Sequence, residues 1–65
     1  MSYEGYFDSI LRIWYSKEKH TPTLKQDMKE VLRQFETSIQ YEEIPAERIK
    51  DLTTEFNKIR KEVYD

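Results

Sequence analysis

YEGYFDSILRIWY, residues Tyr3 to Tyr15, holds eight large apolar or aromatic side chains in thirteen positions: Tyr3, Tyr6, Phe7, Ile10, Leu11, Ile13, Trp14 and Tyr15. At the helical pitch of about 100° per residue they sweep an arc of roughly 200°, about twice the minimum stripe that seats an amphipathic helix on its own core. An arc that wide has two uses. A helix in a three-helix bundle touches two neighbours and needs a broader apolar face than one lying on a surface. Aromatic residues, tyrosine above all, also supply contact area in protein interfaces. Phe7, Ile10 and Trp14 fall near the middle of the arc and are assigned to the core. The flanks are Leu11 and Tyr15 on one side and Tyr6 and Ile13 on the other, and these four are the candidate partner-binding residues.

This first helix is expected to start near Ser2, whose hydroxyl can cap it, and to run through Tyr15 to about Glu18, with Asp8 toward its positive end. Gly5 is its weak point. On the polar side of the wheel a glycine costs about 1 kcal/mol relative to alanine, so either the helix begins after it or another chain approaches there.

Outward from this stretch, the polar connector Lys17 to His20 carries no apolar period. Thr21-Pro22-Thr23 then offers a helix start with proline in the first position, while Thr23 and Gln26 match a capping box, so the second helix begins at Pro22 or Leu24. Leu24, Met28, Val31, Leu32, Phe35 and Ile39 recur at three- and four-residue steps and form a stripe roughly 100° wide. Glu42 and Glu43 oppose the negative end of a helix, which sets the stop near Gln40 or Tyr41 and a hinge at Glu42 to Ile44. Pro45 forces Ile44 into an extended conformation and suits a first helical position. Ile49, Leu52, Phe56, Ile59 and Val63 follow in steps of three, four, three and four, the spacing of a coiled-coil seam.

Two seams of similar length joined by a short hinge describe an antiparallel hairpin, with the first helix as a lid across it. The expected fold is all-α, a small three-helix bundle forming one domain over residues 1–65. The alternative is a dimeric bundle in which the two long helices pair with those of another copy and share a larger core.

Composition limits what such a domain can do. A chain of 65 residues with no cysteine and one histidine has neither a disulfide framework nor a Cys/His metal cluster, so helix packing or self-association must stabilise it. Charged residues are 37% of the chain and nearly cancel to a net charge of −2, a balance that favours no polyanion. The polar start MSYEG lacks the features of a secretory signal. The longest apolar run is Ile13-Trp14-Tyr15, far short of the roughly 20 residues that span a bilayer. A soluble, cytoplasmic protein is expected.

Lys50, Asn57, Lys58 and Lys61 share one side of the third helix with Thr54 between them, the nearest approach to a nucleic-acid face. Glu47 and Asp65 interrupt that side and Asp51, Glu55 and Glu62 border it, so a solvated surface accounts for it better. Pairs such as Glu55 with Lys58 and Lys58 with Glu62 add only tenths of a kcal/mol each. Glu42 and Glu43 in the hinge are read as hydrated, and His20 as an exposed connector residue. A membrane-surface role for the first helix is disfavoured, since Arg12 is its only basic residue before Lys17.

No cofactor, metal site or catalytic constellation is therefore expected. The sequence points to a small non-catalytic module, an inhibitor, adaptor or regulatory subunit, that binds a protein partner through a helical face. The alternatives are a homo-oligomeric structural bundle and, behind that, a nucleic-acid-binding regulator. Trp14→Ala should destabilise the domain by about 3–5 kcal/mol, whereas Tyr15→Ala should leave the melting temperature nearly unchanged and weaken association. Thermal melts and pull-down assays check the pair, and a reversal of the two effects would mean the helix is rotated from this assignment.

Overall fold

The computed structural model describes residues 3–64, with side chains from residue 5 onward. Three helices follow one another: α1 (Tyr3–Ser16), α2 (Pro22–Gln40) and α3 (Ala46–Val63), with no strand among the described residues. None of these helices is long and apolar enough to cross a membrane.

Local chemistry sets the boundaries. The expected cap at Ser2 lies outside the described residues. The helix runs straight through Gly5, where an added Cβ would meet nothing within 4 Å, so the glycine neither delays the helix nor marks a close approach within the chain. At the start of α2 the Thr21 hydroxyl accepts the Leu24 N–H at 3.2 Å, and Pro22 follows in the first turn. Thr21 thus takes the cap in preference to Thr23, because proline's fixed φ and missing N–H suit the position directly after it.

α2 ends in a Schellman turn. The Glu43 N–H bonds to the Ser38 carbonyl at 2.9 Å and the Glu42 N–H to the Ile39 carbonyl at 3.0 Å, the paired closure of that motif. The turn requires a left-handed residue, and Glu42 supplies it at φ 56°. Pro45 sits one position earlier than the sequence suggests: it is the N-cap of α3 rather than its first residue, and its carbonyl accepts the Arg48 N–H at 2.9 Å. Glu47 in the first turn of α3 and Arg60 and Lys61 in the last complement the helix macrodipole.

α2 and α3 form the antiparallel hairpin, bridged by Arg60 to Glu36 and by the Lys29 ammonium 5.2 Å from the Tyr64 ring centre. α1 runs parallel to α3: Asp8 meets Arg48, Tyr15 meets Glu55, and His20 beyond the helix end meets Glu62, at separations of 40, 40 and 42 residues. It is antiparallel to α2, with Tyr6 against Gln34 near one end and Ile13 and Trp14 near Leu24 at the other.

The three stripes meet in one core: Phe7, Leu11 and Trp14 from α1, Met28, Val31, Leu32 and Phe35 from α2, and Leu52, Phe56, Ile59 and Val63 from α3. Ile10, Leu24, Ile39 and Ile49 pack on its margin. Two buried residues lie outside the stripes, the hinge residue Ile44 and Ser38. Phe7 stands edge-on to Phe35 and Phe56, with ring centres 5.4 and 5.7 Å away, and those two rings are 4.7 Å apart.

Glu42 has its backbone in the left-handed conformation, which L-residues adopt at a cost of about 1–2 kcal/mol and glycine adopts freely. Its charge also lies at the negative end of α2. Glu42→Gly should therefore stabilise the protein by about 0.5–1 kcal/mol after the added entropy of the unfolded glycine, raising the melting temperature by a few degrees. A lower melting temperature would show that the turn does not carry this strain.

Candidate partner-binding face

The polar ties of α1 are uneven. Toward α3, the Arg48 guanidinium reaches both oxygens of Asp8 at 2.9 and 3.2 Å and lies 3.7 Å from Asp51. One heptad further along both helices, the Tyr15 hydroxyl donates to Glu55. That hydrogen bond, with partial burial and the charges of Glu55 and Glu62, pushes the Tyr15 phenol up to about 12, so Tyr15 remains a neutral donor near pH 7. Toward α2 there is, among the described residues, one side-chain bond, from the exposed Tyr6 hydroxyl to the Gln34 side-chain carbonyl oxygen at 2.9 Å.

α1 therefore leans on α3 and opens away from α2. Between α1 and α2 lies a groove of about 170 Å³ lined by Ile10, Ile13 and Trp14 on one wall and Leu24, Met28 and Val31 on the other, with Asp27 beside them. The lining comes from two rigid helices and is almost wholly hydrocarbon. Small-molecule sites usually enclose roughly 300–1,000 Å³ and close over most of their ligand. A groove this small and open to solvent suits one or two side chains of a larger partner.

The four sequence candidates separate. Ile13 is 52% exposed and lines the groove, while Tyr6 is 41% exposed on the same flank, its ring edge-on to Phe7 at 5.2 Å. Tyr15 is 56% exposed but lies on the other flank, bonded to Glu55. Leu11, at 9%, belongs to the core and is withdrawn as a contact residue. The buried face of α1 centres on Phe7, Leu11 and Trp14, roughly 30° round the helix from the middle of the apolar arc. The lean toward α3 buries Leu11 but leaves Tyr15 beyond it exposed, and it leaves Ile13 open beside the groove, with Ile10 at the boundary.

Sequence reasoning missed the far wall. Leu24, Met28 and Val31 belong to a seam that reads as ordinary core, and nothing in its spacing says that one edge faces a gap. It also misplaced His20. The histidine is no loosely solvated connector: its side chain is 16% exposed, and its ring stacks on Trp14 with centres 3.5 Å apart and planes inclined by 16°.

The other sequence features have surface environments. Glu42 and Glu43 are exposed, and no group of three or more His, Cys, Asp or Glu among the described residues could hold a metal ion. Lys50, Asn57, Lys58 and Lys61 are exposed on α3, with the Lys58 ammonium 3.7 Å from Glu55. Compared with known protein families, curated proteins and solved structures, the chain has no match.

Proposed function

We propose that this chain is a small non-catalytic interaction module, an inhibitor, adaptor or regulatory subunit, that receives an apolar helix of a protein partner across the groove between α1 and α2. The observation that carries the reading is the apolar groove with Ile13 half exposed in its wall and Tyr6 exposed about two turns away on the same side of α1. A partner helix would lay anchors at three- and four-residue spacing along such a cleft. Tyr6 contributes a rigid ring with a hydroxyl that tolerates water, a combination common in binding hot spots.

Burying a large aliphatic side chain contributes about 1.5–3 kcal/mol, and Ile13 already has about half of its surface covered, so its share is about 1 kcal/mol. A charge placed there would add a desolvation cost on binding. Catalysis is set aside because the groove walls offer one titratable side chain, Asp27, and no second group converging with it. A chain without cysteine fits a cytoplasmic setting.

The alternative occupant is a second copy of the chain, which would make assembly itself the role. Ile13→Glu tests both. Because Ile13 is exposed, the variant should keep its circular dichroism and melt within a few degrees of the native protein. The native chain should sediment as a monomer over a wide concentration range and retain a partner in affinity capture that Ile13→Glu loses by more than tenfold. A native dimer dissolved by Ile13→Glu would replace the foreign helix with a second copy. Capture and sedimentation both indifferent to Ile13→Glu would overturn the groove as a binding face.

A further inference from the structure

The geometry points to His20 as a proton-operated latch that fastens the C-terminal end of α1 to α3. His20 Nδ1 lies 2.7 Å from a Glu62 carboxylate oxygen on α3, and Nε2 lies 3.0 Å from the Trp14 carbonyl oxygen in the last turn of α1. Neither oxygen can donate. A neutral imidazole carries a single N–H and can satisfy one of these contacts, leaving a lone pair facing the other oxygen. The imidazolium donates to both.

Three further observations favour a positive charge at this position. The last turn of α1 contains no basic residue, so its negative end lacks the cation that usually complements it. The carbonyl of Trp14 has only a long backbone bond, 3.4 Å from the Lys17 N–H, and the histidine supplies its better donor. The ring also lies flat on the Trp14 indole at 3.5 Å, an arrangement that favours a cation over an aromatic face.

Every element around the ring contributes to its titration. From α3, Glu62 favours the charged form; from α2, Lys25 opposes it; from α1 come the Trp14 carbonyl and indole. The bond to Glu62 is the largest influence and the Trp14 carbonyl the next, and together they outweigh burial and Lys25, raising His20 above its ordinary 6.5. A raised value in the folded state means that the latch contributes its full stability below the unfolded value. That stability is lost as pH rises through the folded value. On deprotonation one of the two oxygens loses its donor, and the end of α1 loses its tie across the connector.

The chain has one histidine and one tryptophan, so two probes each report a single site in the intact protein. The His20 Cε1–H resonance should titrate with a midpoint above 6.5. Trp14 emission, quenched in acid by the stacked imidazolium, should recover with the same midpoint. Glu62→Gln should move both midpoints down together. The melting temperature of the native protein, taken relative to His20→Gln, should fall as pH rises from about 6 to about 9. A midpoint at or below 6.5, a midpoint unmoved by Glu62→Gln, or tryptophan emission that ignores the histidine titration would overturn the latch.

Discussion

Phe7 inserts its ring edge-on against Phe35 of α2 and Phe56 of α3, and this contact is where all three helices meet. In a chain with no cysteine, apolar packing has to do what a disulfide would otherwise do for so small a domain. Edge-to-face rings at 5–6 Å add about 0.5–1.5 kcal/mol per pair beyond the area they bury. Trp14, two turns along α1 and 2% exposed, fixes the other end. With both rings seated, the rotation of α1 is set, and every other side chain on the helix has to accept the direction it is given.

The polar contacts then decide the tilt. Asp8 with Arg48, Tyr15 with Glu55 and His20 with Glu62 all lie on the α3 side. Exposed ion pairs are worth about 0–1 kcal/mol each, too little to hold a helix that Phe7 and Trp14 did not already hold. Spaced along α1 at matching positions on α3, they draw the helix toward α3 and leave the α2 edge of the seam uncovered. The apolar groove lies on the side of α1 away from these polar ties.

Much of this was legible in the chain and part of it was not. The two seams read correctly because they repeat at helical spacing, and the start of α2 at Pro22 because proline acts locally, whereas Pro45 proved to be the N-cap of α3 and not its first residue. Ser38 and Ile44 were hidden for the same reason in reverse: a serine inside a helix and an isoleucine in a hinge carry no periodic signal, and tertiary packing alone buries them. The excess apolar surface on α1 was visible from Tyr3 to Tyr15. Which flank stays wet depends on the Asp8–Arg48 and Tyr15–Glu55 contacts, each 40 residues apart in sequence, so the wheel placed Leu11 outside. His20 could not be placed from its neighbours in sequence, because its carboxylate partner lies 42 residues away.

In the isolated molecule Leu11 is buried against the core while Ile13 and Tyr6 stay exposed on the other side of α1. Solvent paramagnetic relaxation of side-chain protons in dilute protein reads this residue by residue. Strong enhancement at the Ile13 methyl groups and the Tyr6 ring, with little at Leu11 and Phe7, is the result this structure predicts. Protection of Ile13 equal to that of Leu11 would contradict it, since α1 would then be closed against α2 and the groove would not exist.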